Sequence, residues 1–520
     1  MADSPSRTGA NGQSPGPMGR EALAHLLAGK LGEQRPAQPM SAAPPGPGTS
    51  GGVGAAAVPK LAGVPAAVLP VGWEVIEALQ GEVSAKLTAR DPERTLAEPD
   101  RRALARSLVH TAVADWATTY AQGNTPVSSE DEVRIATAVY DAMFRGGRLQ
   151  SLLDEAGVED VMVDGLTAHV EYFDKPRRTI DKVADSHDEL ITWVNRMARQ
   201  SGQGERALTQ ATPMVGFRMP DGSRVTASVL TSRPSVVIRK HRIVQHGMGD
   251  LVQWQSINPL LERFLVACVQ ARMNLLVVGD MGAGKTSLLR ALGREIPASE
   301  RVVTLESDRE LYLDEPGPRP GPLTFAFEAR QSNGERAVGD RLAGEVTISD
   351  MFATALRYNA TRVIVGEVRS TEIVPMLQAM SAGGSGSMCT LHVRRPHAVI
   401  SRLAQLCTEA GLPGEAAYHL IASAIDVVVY LAYLDETALG GRRHRFVSHI
   451  YEIDDIVGEA GRPTLTELFA PVPGEPRAVY RHMPSFIDAL ELTGLVHRSW
   501  LAKDPHSWWG AALQLEGRRP

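Results

Sequence analysis

Cysteine is scarce: the 520 residues hold three, Cys268, Cys389 and Cys407, far apart and without a CxxC pair. That spacing excludes a disulfide framework and a four-cysteine zinc site, so no zinc is expected. Cys268 and Cys389 stand among apolar neighbours and read as small core residues in a reducing compartment. A strong excess of one charge is also missing. The formal net charge of -6 gives no overall pull toward nucleic acid, which is therefore an unlikely partner, although local basic patches are left open. Long apolar runs are absent too. The longest, Ile421 to Leu434, contains Asp426 and falls short of the roughly 20 residues a membrane helix needs. The start, Met1-Ala-Asp-Ser-Pro5, leads into polar, Pro-rich sequence without the apolar core of an export signal. The expectation is a cytoplasmic chain, soluble or held at a membrane face through partners.

What is present divides into regions. Residues 1–70 are crowded with Pro, Gly, Ala and Ser, and have too little apolar bulk to offset the entropy of ordering; a disordered tail is expected. From 71 to 149 the pattern is helical, with a capping box at Ser129-Glu-Asp-Glu132 and Ala136, Val139, Tyr140 and Met143 on one face. Residues 150–245 read as a smaller α+β domain. Val161-Met-Val163 and His169-Val-Glu-Tyr172 flank a turn, and Pro220-Asp-Gly222 is a hairpin feeding the strands from Arg224 and Ser235. After a linker over 246–256, apolar runs alternate with helical segments across 257–454. That alternation indicates an α/β domain with a mainly parallel sheet. Residues 455–520, with Trp500, Trp508 and Trp509, read as a C-terminal appendage.

Gly279-Asp280-Met281-Gly282-Ala283-Gly284-Lys285-Thr286 matches GxxxxGK[ST] in full. It follows the apolar run Asn274-Leu-Leu-Val-Val278 and precedes the helix start Ser287-Leu-Leu, the context a phosphate-binding P-loop requires. Glycines let successive N–H groups turn inward around phosphates, and the helix N-terminus adds its dipole. Lys285 is the expected partner of the β- and γ-phosphates and Thr286 of Mg²⁺, making ATP and Mg²⁺ the expected ligands.

Three further elements carry acids or a histidine at strand ends. Arg362-Val-Ile-Val-Gly366-Glu367 occupies the place of a Walker-B strand, with Glu367 suited either to the Mg²⁺ shell through water or to orienting the attacking water. Arg301-Val-Val-Thr-Leu305 leads into Glu306-Ser-Asp-Arg-Glu310, where Glu310 is the candidate base and Glu306 its support. Met388-Cys-Thr-Leu391 leads into His392, placed to sense a γ-phosphate or to bridge to a neighbouring element.

The order Gly279–Thr286, Leu305-Glu-Ser-Asp-Arg-Glu-Leu311, Val365-Gly-Glu-Val-Arg369 and Thr390-Leu-His392 resembles the type II/IV secretion ATPase superfamily, with its Walker A, Asp box, GExR Walker B and His box. Asp160-Val-Met-Val-Asp-Gly165, Pro220-Asp-Gly-Ser-Arg224 and Ile238-Arg-Lys240 are similar to the N-terminal domain of that superfamily. The likeness spans about 150–490 and is nearest to the CpaF-like branch of Flp/Tad pilus assembly. It implies a RecA-like motor in a homo-hexameric ring docked on an inner-membrane platform protein. It further implies nucleotide contacts from Arg224, Arg239 and Arg369, with Arg357 on another motif position. Two departures stand out: Ser307 replaces the Asp that names the Asp box, and Ala382-Gly-Gly384 replaces a Thr-Gly-His. Three readings follow: a motor for pilus assembly or export, a DNA-transfer ATPase of the same fold, and a nucleotide-binding subunit with little turnover.

Overall fold

A computed structural model describes residues 69–516 apart from 174, 202–206, 241–245, 318, 331–343, 458–460 and 502–507. All but the last two residues of the expected tail over 1–70 lie outside this set. The chain divides into two compact units, Met1–Val170 with Arg178–Lys240, and Glu171–Arg177 with His241–Pro520.

The first unit opens with three helices, α1 (Trp73–Arg90), α2 (Glu98–Tyr120) and α3 (Ser129–Phe144). Ile76, Leu79 and Val83 meet Leu108, Val109 and Ala112 and the Ile135–Val139 face in one core. The cap of α3 is Ser128, not the expected Ser129: its hydroxyl accepts from the Asp131 amide at 3.1 Å, and Ser129 is already helical. A sheet follows, made of β1 (Val158–Asp164), β2 (Thr167–Tyr172), β3 (Arg178–Ile180), β4 (Met214–Arg218), β5 (Arg224–Ser228) and β6 (Ser235–Arg239), in the order β3-β2-β1-β6-β5-β4. Burial alternates along its strands: Val225, Ala227, Val236 and Ile238 point inward, while Thr226 and Val237 are exposed. The helix α4 (His187–Gln200) also holds the end of α3, since Trp193 Nε1 donates to the Gly146 carbonyl at 2.9 Å and Gln200 to that of Met143 at 3.0 Å.

In the second unit, β7 (Leu275–Gly279), β8 (Arg301–Glu306), β9 (Leu323–Glu328), β10 (Arg362–Val368), β11 (Met388–His392) and β12 (Val427–Asp435) run parallel in the order β12-β7-β11-β10-β8-β9. The P-loop strand β7 is thus separated from the acidic strand β10 by β11, the RecA-like arrangement. All five residues of β7 are buried. Leu275 and Val277 enter the core with Phe264 and Leu289, while Leu276 and Val278 enter the opposite one with Leu377 and Leu403. A strand covered on both faces reads as a continuous apolar run. Asn274, at its foot, donates to the Ala424 carbonyl at 2.8 Å and accepts from the amides of Gly386 and Ser387 at 2.9 and 3.0 Å.

Two expectations need correction here. The linker over 246–256 contains a short helix, Met248–Gln253. The boundary at 454 falls inside β13 (Arg443–Val457), which with β14 (Pro463–Val472) and β15 (Glu475–Tyr480) extends the same sheet in antiparallel fashion. This segment is therefore part of the second unit's sheet: Phe469 lies 5.0 Å from Phe264, and Trp509 donates to the Ala478 carbonyl at 2.8 Å. Charged residues along β13 (Arg443, Arg445, Asp454) hide its strand pattern in the sequence.

Candidate functional site

The P-loop leaves β7 and enters the helix α5 (Lys285–Gly293). Its glycines are sterically required. Gly284 has φ +91° as the helix N-cap, and a Cβ on Gly279 would run into the Leu431 carbonyl oxygen. Ala283 is fully buried, Asp280, Met281 and Gly282 are exposed, and Thr286 and Ser287 at the helix start are half-buried. A loop of this composition, running into a helix N-terminus, can present backbone N–H groups to an anion, as phosphate binding needs.

Lys285 is buried to 7 % exposure. Its ammonium donates to the Asp280 carbonyl at 3.0 Å and to His392 Nδ1 at 3.0 Å. Burial pushes its pKa down to about 8, against the opposing pull of Glu367 and Asp280. His392 lies opposite Gly279 in the parallel register of β11 and β7, which sets it between the P-loop and β10. From there its Nε2 reaches Glu367 Oε1 at 2.9 Å, and Glu367 Oε2 receives Arg369 at 2.6 Å. Burial, followed by the neighbouring Lys285, lowers the pKa of His392. The structure thus brings together Lys285, His392, Glu367 and Arg369 in one hydrogen-bonded line.

Glu306 and Glu310 take different places. Glu306 is 2 % exposed, and its Oε1 accepts from the amides of Glu310 and Leu311 at 2.9 and 3.0 Å. Burial pushes its pKa up to about 7, and Oε2 has no hydrogen-bond partner. It pins the turn from below, with one carboxylate oxygen committed to the backbone amides of Glu310 and Leu311. Arg290, from α5, holds the same turn by donating to the Glu310 carbonyl. Glu310 itself is half-buried, and it and Asp308 are near enough to Arg369 to help raise the pKa of that guanidinium. Among the described residues no group of three or more His, Cys, Asp or Glu side chains is arranged to hold a metal. The remaining candidate metal ligands, Thr286 and Glu367, suit a Mg²⁺ bound chiefly through substrate phosphates and water.

Sequence reasoning missed Arg290 and Arg445. The latter donates to the Gly282 carbonyl at 2.7 Å from β13. An arginine on an antiparallel strand about 160 residues downstream carries no local signal. Arg357 lies exposed in the helical turn that precedes β10. The Gly384 departure has a local reason, because a Cβ there would sit 2.5 Å from the Ala379 carbonyl oxygen. A histidine does not fit this turn.

Arg224 and Arg239 belong to the first unit. They stand directly opposite each other on β5 and β6, and Arg218 stands opposite Arg224 on β4. Arg239 pairs with Asp160 at 2.9 Å. Asp160 stands opposite Arg239 on β1, so the row holds three guanidinium groups and one carboxylate.

The profile of the type II/IV secretion system protein family matches residues 169–440. A putative conjugal transfer protein of Mycobacterium tuberculosis is 30% identical over 297 residues, 55% of this chain and 80% of that protein. Type IV secretion system protein PtlH of Bordetella pertussis is 34% identical over 192 residues, 36% of this chain and 52% of that protein. A solved structure of the VirB11 ATPase from the Brucella suis type IV secretion system aligns over 59% of this chain and 95% of that one, with 23% identity and a TM-score of 0.30. The family match covers more than half of the chain and contains the P-loop, the Glu310 turn, Glu367 and His392. The chain belongs to the type II/IV secretion system protein family.

Proposed function

We propose that the chain hydrolyses ATP with Mg²⁺ and uses the energy to drive a secretion or pilus-assembly machine. The observation that carries this is the line Lys285–His392–Glu367–Arg369 at the mouth of the P-loop. It places one cation for phosphates, just past the end of β7, and one oriented carboxylate, at the end of β10, on either side of β11. When bound, Mg²⁺ neutralises phosphate charge, and the Thr286 hydroxyl and Glu367, through water, are the groups to hold it. The P-loop amides from Gly279 to Ser287 grip the phosphates. Glu367 orients a water for in-line attack on the γ-phosphorus, and the Glu310 carboxylate takes its proton as the new P–O bond forms and the bond to ADP breaks. Arg369 and the Arg224–Arg239 pair supply guanidinium charge to the phosphate oxygens.

In this reading the protein works as a homo-hexameric ring at the cytoplasmic face of a membrane. Rigid-body rotation of the first unit against the motor acts on an inner-membrane platform protein, and Flp/Tad-type pilus assembly is the first choice of system. The name of the mycobacterial relative favours a second reading, DNA transfer. A DNA-binding assay separates the two, since binding through phosphates weakens steeply with salt. Little turnover is a third reading, motivated by Ser307 and Gly384, and a comparison of ATP affinity with steady-state turnover decides it. The central test is Lys285→Ala: ATP turnover is expected to disappear with the circular dichroism unchanged, and undiminished turnover would refute the assignment.

A further inference from the structure

His392 has a definite hydrogen-bond polarity. Lys285 has only protons to give, so Nδ1 of the ring accepts. The ring proton therefore lies on Nε2, where it is donated to Glu367 Oε1. One imidazole thus spans the phosphate-binding cation and the Walker-B carboxylate; His392 itself pairs with Gly279 of β7, and its neighbour Leu391 with Val368 of β10.

A count of donors shows what a nucleotide does to this bridge. The Lys285 ammonium has three protons, and in this geometry one goes to the Asp280 carbonyl and one to His392. Bridging a β- and a γ-phosphate oxygen takes two, which leaves one for two present partners. The Asp280 carbonyl belongs to the loop that itself surrounds the phosphates. His392 is the partner that can be given up, because its other nitrogen retains Glu367.

We propose that His392 is a positioning residue that hands Lys285 over to the β- and γ-phosphates of an entering nucleotide while keeping Glu367 oriented for water attack. The inference rests on the hydrolysis reading above and adds a direction to it. The imidazole opposes nucleotide binding, because it competes for the lysine, and favours the chemical step, because it holds the carboxylate. A residue that merely supported the fold would weaken both.

The experiment compares unsubstituted full-length protein with His392→Ala and His392→Gln, measuring Mg-ATP turnover and, by titration calorimetry, the affinities for ADP and for the non-hydrolysable β,γ-imido analogue of ATP. Ala removes the competitor, so the ATP analogue, which carries a γ-phosphate, is expected to bind about fivefold more tightly, on the scale of one hydrogen bond, while ADP, which asks for one lysine proton fewer, is expected to gain less. The same substitution frees Glu367, so kcat is expected to fall about tenfold or more while KM falls with it. Gln keeps one acceptor and one donor and is expected to move both quantities back toward the parent values. Unchanged or weaker binding of the ATP analogue in His392→Ala, an unchanged kcat, or a Gln variant indistinguishable from Ala overturns the proposal. Failure of the P-loop reading has a different signature: the unsubstituted protein itself binds no ADP.

Discussion

The two units use arginine and glutamate in opposite ways. In the second unit, charged groups sit where parallel strands end, over a core in which every residue of β7 is buried, and Lys285, His392, Glu367 and Arg369 hold one another. In the first unit the sheet is largely antiparallel, and one of its faces carries Arg218, Arg224 and Arg239 side by side. Strand ends over a doubly covered sheet give a few side chains fixed positions, suited to positioning a reacting atom. An open sheet face gives breadth of charge, suited to holding a polyanion.

Glu310→Gln should give the largest effect separating these two styles. Loss of the base is expected to lower turnover about a thousandfold with nucleotide affinity retained, as read by steady-state kinetics beside calorimetry. Next is Glu306→Gln, an effect on stability. The folded state holds the Glu306 proton more tightly than the unfolded chain, so its contribution is complete below about pH 4.5 and is lost as pH rises through about 7. The amide should flatten unfolding free energy between those values by roughly 3 kcal/mol, at about 1.4 kcal/mol for each tenfold change in proton affinity, measured by urea titration at pH 5 and pH 8. Arg224→Ala comes third: about a tenfold loss of turnover with stability unchanged within about 0.5 kcal/mol, since it removes one of two facing cations. Should that substitution instead unfold the protein and spare turnover, the contrast drawn here would collapse. Smallest is Ser128→Ala, with about 1 kcal/mol lost from the helical region and no change in ATP turnover.

Much of the motor is legible in its sequence because its signals are local. The P-loop needs its glycines in a row, and a doubly covered strand must be a run such as Leu275–Val278. Strand-end acids such as Glu367 are visible for the same reason. What eludes the sequence is contact at a distance. Glu306 and Glu310 are near in sequence and look alike, and only burial assigns one to the backbone and leaves the other half-buried. Arg290 looks like any charge on a helix until its reach to the Glu310 turn is seen. The strand β13 carries charges between its buried positions, which made the last part of the sheet resemble an irregular tail.

Asn274 has a mechanical consequence. One carboxamide joins the ends of three segments, the foot of β7, the turn before β11 and the last turn of the helix that precedes β12. A slip of β11 by one residue would break these bonds together with the β7 ladder. The strands β7, β11 and β12 are therefore tied together at their amino ends. Whatever the arrival or departure of phosphate sets in motion has to originate in the turns along the opposite rim, where a rotated side chain costs no ladder hydrogen bond.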